Sequence, residues 1–272
     1  MRYNLYNEDC IEVMRNMPEG SIDLVCTDPP YLIPKTTGGG TCNKVIHLSK
    51  ALDNLKPLGI HKGYNIDLMA QEINRIQGGN INAYFFCNKE QLYEYLTVYV
   101  GKHRCRYDIL LWHKTNAMPT YSNKYLSDKE YILYFRKGKG RTFPQCYDDA
   151  RTVFTSPLNT VEQKRYSFPT VKPLHIVETL IRNSSRPGDV VFDPFTGSGT
   201  TAVAALGLGR GFIGCEIDRN TYRNALIRIY NEVNYESTGD KGNKGEDRSA
   251  DGESEEAGVA APERQARVCQ GA

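Results

Sequence analysis

The stretch from Asp189 to Glu216 constrains this chain most. Asp189-Val190-Val191-Phe192-Asp193 reads as a short buried strand that runs into Pro194-Phe195-Thr196-Gly197-Ser198-Gly199-Thr200-Thr201-Ala202, a glycine turn opening an alanine-rich helix. Gly211-Phe212-Ile213-Gly214-Cys215-Glu216 is the next strand, and its terminal acid lies 23 residues after Asp193. Strand, glycine turn, helix, strand and acid make a nucleoside-binding βαβ unit, with Glu216 placed for ribose hydroxyls and Ile217 beside it. Two parallel strands joined by a crossover helix demand an α/β sheet.

The same residues also satisfy the dinucleotide pattern, since Gly197, Gly199 and Ala202 fall at G-x-G-x-x-A spacing. That pattern alone is weak, and an NAD-linked oxidoreductase is the rival reading it leaves open. Asp193-Pro194-Phe195 argues against it. A carboxylate beside the ligand repels a pyrophosphate but suits a ligand carrying an ammonium and a sulfonium, as S-adenosylmethionine does.

A second stretch has comparable weight. Ser21 to Cys26 is a mostly apolar strand, and Thr27-Asp28-Pro29-Pro30-Tyr31 follows at its C-terminal end, where open α/β sheets place ligands. Pro29 and Pro30 have no N–H, so the tetrapeptide is a set of acceptors with a flat ring beside it. An aromatic amine such as adenine N6 is a poor nucleophile because its lone pair is delocalised. A catalyst must favour a tetrahedral nitrogen that develops positive charge. Asp28 and the Pro29 carbonyl can accept the amine hydrogens, and Tyr31 can stack on the base. The plain alternative is a strand followed by a Pro-Pro turn capped by Asp28.

At 272 residues the chain is long enough for one large α/β domain. It contains no repeat, no signal peptide and no membrane-crossing apolar run, so a cytoplasmic enzyme is expected. The eight cysteines form no C-x-x-C pair, which argues for reduced thiols and against a metal site. From Glu236 onward nine acids and five bases stand in a polar segment, leaving 29 Lys and Arg against 23 acids before it. The body, residues 1–235, is expected to carry the activity; 236–272 is expected to be a disordered tail.

The remaining pattern is scaffold with one basic region. Tyr3–Tyr6, Ile81–Cys87, Tyr107–Trp112 and Glu130–Phe135 read as strands; residues 11–17, 64–76, 89–100, 174–181 and 222–233 have helical spacing. Asp9 sits at a strand end, free to cap the next helix or to reach a ligand. Residues 34–46 read as a loop that either closes over substrate or merely links. His113 to Lys129 is polar, with Lys114, Asn116, Tyr121 and Lys124. Arg136, Lys137, Lys139 and Arg141 then cluster beside Tyr125, Tyr131, Tyr134 and Phe143, which fits phosphate-binding cations with stacking rings, although on this signal alone a solvated turn with core aromatics is the better reading. Residues 141–168 show no clear periodicity.

With these motifs in place the chain resembles the β-class amino-group DNA methyltransferases over about Tyr3 to Asn231. The likeness rests on Asn7-Glu8-Asp9-Cys10, Asp28-Pro29-Pro30-Tyr31, Lys114-Thr115-Asn116 through Glu130-Tyr131-Ile132-Leu133-Tyr134, Thr170-Val171-Lys172-Pro173 and Phe192 to Thr201. The catalytic tetrapeptide precedes the glycine motif, the circularly permuted order of that class. The resemblance implies a Rossmann-like class I methyltransferase fold, a seven-stranded mostly parallel sheet with helices on both faces. It implies methyl transfer from S-adenosylmethionine to a flipped base in duplex or single-stranded DNA, by a monomer or homodimer, in the setting of restriction and modification. It places Asp28, Pro29, Pro30 and Tyr31 at the target amine. Phe195, Gly197 and Gly199 fall around the methionine moiety with Thr196, Ser198 and Thr200; Glu216 falls on the ribose, and Asp9 with Cys10 near the cofactor adenine. Thr170 and Lys172 lead into the helix beside the cofactor. Phe168 stands where many members have His. Asp at the head of the tetrapeptide points to adenine N6 rather than cytosine N4, and target recognition is expected in residues 115–165.

Overall fold

Why a strand run in this sequence becomes a buried strand is clearest at Ile81–Cys87, where all seven residues are buried, because both faces of the sheet are covered. A computed structural model describes residues 3–31, 64–117, 125–158, 160–166, 168 and 170–237, with side chains through Val233. The expected loop at 34–46 and, but for its first two residues, the expected tail at 236–272 lie outside these residues, as do Tyr121 and Lys124; Glu236 and Ser237 belong to the last helix.

In chain order the elements are β1 (Tyr3–Tyr6), α1 (Cys10–Asn16), β2 (Leu24–Thr27), α2 (Ile66–Ile76), β3 (Ile81–Cys87) and α3 (Leu92–Tyr95), which continues as a π-helical turn over Leu96–Lys102. Then come β4 (Arg106–Lys114), β5 (Lys129–Lys137), β6 (Val153–Ser156), α4 (Thr160–Arg165), α5 (Leu174–Ser184), β7 (Val190–Asp193), α6 (Thr200–Gly207), β8 (Gly211–Cys215) and α7 (Arg219–Ser237). The sheet order is β1-β8-β7-β2-β3-β5-β4-β6. Among the described residues only β5 runs against its neighbours; every other pairing is parallel.

The expected mostly parallel sheet with helices on both faces is present, with eight strands rather than seven. The additional strand is β6, from the stretch that showed no periodicity. It is a four-residue edge strand of alternating partial exposure, too short to leave a readable period, and it is held by pairing with Leu111–Lys114 of β4.

Alternation along the strands divides the core in two. Val25, Ala83, Phe85 and Cys87 face α1, α2 and α3, whereas Leu24, Cys26, Tyr84 and Phe86 face α5, α6 and α7. In α2 the buried stripe is Ile66, Met69, Ala70, Ile73 and Ile76, its first turn capped by the Asn65 side chain on the Leu68 N–H at 2.9 Å. Each large apolar residue of that stripe contributes roughly 1.5–3 kcal/mol by burial.

This division positions the site. α2, in the connection from β2 to β3, lies on one face; α6, between β7 and β8, lies on the other. β2 and β7 are nonetheless adjacent and parallel, with Leu24 opposite Val191 and Val25 opposite Phe192. Connections that leave two neighbouring strands toward opposite faces open a crevice at their C-terminal ends.

Candidate active site

A cleft of about 590 Å³ occupies that crevice. Its lining brings the two sequence motifs together: Asp28 to Tyr31 after β2, and Asp193 to Ser198 with Thr200 after β7. Asp9, Cys10, Thr170, Lys172, Glu216 and Ile217 also line it. Gly199 does not, but it shapes the turn at φ +82° as the N-cap of α6. Gly197 has φ +51°, and a Cβ there would lie 2.9 Å from the ring of Phe168. Both positions require glycine, one also for the close approach of that ring.

At the β2 end four charges meet. Lys172 Nζ lies 2.6 Å from Asp28 Oδ2 and 2.8 Å from Glu130 Oε1, and Lys114 Nζ lies 2.7 Å from Glu130 Oε2. The Tyr31 hydroxyl donates to Glu130 Oε1 at 2.7 Å and lies close enough to Asp28 to lower that carboxyl slightly. The Lys172 ammonium sits 5.2 Å from the centre of the Tyr31 ring. Gln91 Nε2 donates to the Pro30 carbonyl at 3.0 Å, which pins the turn. Asp28 Oδ1 is buried and has no hydrogen-bond partner among the described residues.

Burial pushes the Asp28 carboxyl above its usual range, Lys172 pulls it back, and Glu130 pushes it up again; the net shift is upward. Burial acts the same way on Glu130, but Lys172 and then Lys114 outweigh it and bring that carboxyl down to about 2. Lys172 loses basicity to burial and regains more from Asp28 and Glu130, so it stays charged. Desolvating four charges is expensive, and such clusters commonly contribute no net stability. A buried carboxylate oxygen with no donor adds a further cost on the order of 1–3 kcal/mol. The arrangement suits a group that waits for a donor.

At the β7 end Asp193 is 2% exposed and fully engaged. Its Oδ1 accepts from Thr27 Oγ1 at 2.6 Å and from the Phe195 N–H at 3.0 Å, and its backbone carbonyl accepts from Thr196 Oγ1 at 3.2 Å. Burial raises its carboxyl to about 6 against the lowering effect of Thr27, Thr201 and the Phe195 N–H. Glu216 Oε2 accepts from the Gly197 N–H at 3.0 Å and Oε1 from the Asp218 N–H at 2.9 Å, so the acid after β8 braces the glycine turn from the other side. Asp9 caps α1 through the Ile11 and Glu12 N–H groups and also lines the cleft, so both readings of that residue meet in one place.

The remaining expected residues take the following places. Lys172, expected beside the cofactor, lines the cleft at its Asp28 end. Lys114 is 17% exposed and ion-paired to Glu130, so it belongs to the buried cluster and is not free for phosphate. Asn116 Oδ1 accepts from the Leu158 N–H at 2.6 Å, tying the end of β4 to the chain after β6. The cluster Arg136, Lys137, Lys139 and Arg141 lies at the opposite end of the sheet from the cleft. Its strand, β5, is antiparallel, and Lys137 pairs with Ile81 at the start of β3. At about 3.3 Å per residue the two ends of β5 are roughly 25 Å apart. Arg136 Nη2 is paired with Asp108 Oδ2 at 2.5 Å, and Lys137 Nζ donates to Asn74 Oδ1 at 3.3 Å.

Glu130 had no role assigned from the sequence, although an acid at the head of the apolar run Tyr131 to Phe135 was a usable signal. Tyr64 was also missed; its ring lies 5.0 Å from that of Phe195 and closes one wall of the cleft. A residue just before the N-cap of an amphipathic helix carries no such signal.

Comparison with known proteins agrees with this geometry. The chain is 27% identical over 226 residues to the Type II methyltransferase M.HinfI of Haemophilus influenzae, covering 76% of this chain and 63% of that protein. It is 25% identical over 227 residues to the Type II methyltransferase M2.MboI of Moraxella bovis, covering 79% and 82%. The chain thus spans just under two thirds of the first relative's length and about four fifths of the second's. Among solved structures, TTHA0409 of Thermus thermophilus, complexed with S-adenosyl-L-methionine, superposes with a TM-score of 0.56 at 25% identity, covering 86% of this chain and 96% of that one. A DNA methylase family model for N6 and N4 methyltransferases matches residues 22–227, and the chain belongs to that family.

Proposed function

We propose that this chain transfers a methyl group from S-adenosylmethionine to adenine N6 of a base flipped out of DNA. The observation that carries the reading is Asp28 Oδ1, buried and without a donor among the described residues at the C-terminal end of β2, one strand away from the glycine turn.

The residues present fit the cofactor. The cleft volume is within the range of small-molecule sites, and its glycine turn is flanked by two acids, Asp193 and Glu216, that repel a pyrophosphate and attract an ammonium. Phe195, Thr196, Gly197, Ser198, Gly199 and Thr200 would hold the methionine end, Glu216 with Ile217 the ribose, and Asp9 with Cys10 the adenine. When bound, S-adenosylmethionine supplies an electrophilic methyl group. Asp28 Oδ1 accepts a hydrogen of the target amine and stabilises the positive charge that grows on nitrogen. Its raised proton affinity suits it to take up the proton the methylated nitrogen sheds. Tyr31 presents its ring to the base, held by its hydroxyl on Glu130. Residues 1–235 form the catalytic domain in this reading, with target recognition drawn from the parts of 115–165 outside the core strand β5 and the distal basic cluster. Extruding a base costs a few kcal/mol and one stack returns about 1–3, so contacts from that segment to DNA complete the balance.

The support is the acid at the head of the tetrapeptide, the cleft at the switch point, and membership of a family that methylates DNA amino groups. The test is mass spectrometry of nucleosides from unmethylated DNA incubated with the protein and S-adenosylmethionine. N6-methyladenine is the expected product. N4-methylcytosine alone would overturn the base assignment, and no methylated base would overturn the reaction.

A further inference from the structure

Glu130 takes three donors from three separate parts of the chain: Lys114 on β4, Lys172 before α5, and Tyr31 after β2, at 2.7, 2.8 and 2.7 Å. It reaches them because β5 runs against its neighbours. Its first residues therefore stand at the edge where the parallel strands end, with Tyr131 opposite Cys87. The Glu130 side chain is 7% exposed and stands behind the residues that line the cleft.

Resting on the methyl-transfer reading, we propose that Glu130 is a positioning residue for that step: it shares Lys172 with Asp28 and anchors the Tyr31 ring, so that Asp28 Oδ1 stays open to the target amine. An ammonium has three protons to place. With Glu130 present, Lys172 divides them between Glu130 Oε1 and Asp28 Oδ2. Without it, the whole charge centres on Asp28, whose oxygens are then tied up by lysine, and Tyr31 loses its tether. Stability does not explain the cluster, since buried ion pairs are commonly replaceable by apolar residues at no loss. The ionisable groups facing Asp28 are Lys172, Glu130 and Tyr31, with Asp193, Cys26 and Cys87 nearby.

The test compares the full-length protein with Glu130→Gln, using tritiated S-adenosylmethionine and unmethylated genomic DNA. The expected result is a kcat lower by roughly ten- to a hundredfold, the scale seen when a residue orienting a reacting group is removed. KM for the cofactor should stay within about twofold, because the change lies outside its contacts. The acid limb of the pH–rate profile should move to lower pH, since Asp28 loses a repelling neighbour and gains more of Lys172. A purely structural role leaves that limb in place.

Glu130→Gln also leaves two lysines against one buried carboxylate. The double variant Glu130→Gln/Lys114→Met restores the balance and keeps the measurement possible if the single variant does not fold. It should remain slow with the shifted limb. Either variant transferring methyl groups at close to the wild-type rate, with an unmoved limb, overturns the proposal. A wild-type protein that transfers no methyl group overturns the parent reading and this one together, so the two failures are distinguishable.

Discussion

Asp28 and Asp193 stand at the C-terminal ends of neighbouring parallel strands and both carboxyls are raised by burial, yet they are built for opposite ends. Asp193 spends its carboxylate on Thr27 and the Phe195 N–H and so fixes the course of the glycine turn. Asp28 holds one lysine with Oδ2 and leaves Oδ1 buried without a donor among the described residues. A satisfied buried carboxylate shapes a site; one with an orphan oxygen is set aside for a partner that arrives later. The same residue type at the C-terminal ends of two neighbouring strands is thus separated by what its neighbours donate.

The largest expected effect tests the Asp28 half. Asp28→Ala should lower methyl transfer by about 10²–10³, the usual cost of removing one preorganised partner of a developing charge. Calorimetric affinity for S-adenosylhomocysteine should be unchanged within error. Loss of that affinity would erase the contrast with Asp193.

Asp193→Ala should do the reverse. The Thr27 hydroxyl and the Phe195 N–H lose their acceptor inside the protein, so the denaturant midpoint should fall by an equivalent of roughly 1–3 kcal/mol. Binding of S-adenosylhomocysteine should weaken at least about tenfold as the turn loosens. A variant with native stability and binding would show that the glycine turn holds itself. A milder probe of the same turn is Gly197→Ala, where φ +51° and the Phe168 ring oppose a Cβ. Thermal unfolding should report a loss of about 1–2 kcal/mol.

Asp193 also predicts a pH dependence. Its carboxyl titrates at about 6 when folded, against the ordinary 3.8. Between those values the folded state holds the extra proton, so this group's contribution to stability declines as pH rises through the window. The ionised carboxylate that welcomes an ammonium is present only above it. Affinity for S-adenosylhomocysteine should therefore increase as pH rises through about 6, and Asp193→Asn should flatten that rise. An unchanged rise in the variant would assign it to another group.

The smallest effect is expected far from both acids. Neutralising Lys137, Lys139 and Arg141 together should leave DNA affinity within about twofold and the salt dependence unaltered. If all three contacted phosphates, the slope of log affinity against log salt would fall by roughly 3. That outcome would return the basic cluster to the DNA surface and require DNA to reach the distal edge of the sheet.

Much of this site is a local property of the chain. Thr27 to Tyr31 and Asp193 to Thr200 announce themselves because prolines and glycines impose their backbone shapes within a few residues, wherever the segment is placed. The strand and helix periods likewise follow from which residues avoid water. β6 escaped because four half-exposed edge residues carry no such period, and its existence depends on β4 lying beside it.

Electrostatic roles were decided only by the fold. Lys114 and Arg136 to Arg141 look alike as basic residues near aromatics, but the reversal of β5 sends Glu130 to the cleft edge and the arginine cluster to the far edge. Lys114 thereby becomes the partner of a buried carboxylate. Sequence by itself determined the α/β class, the acceptor turn and the glycine turn, since each is written in backbone preference and hydrophobic period. Tertiary structure decided which charges meet, because an ion pair is set by strand direction and register between residues as much as 144 positions apart, as with Asp28 and Lys172.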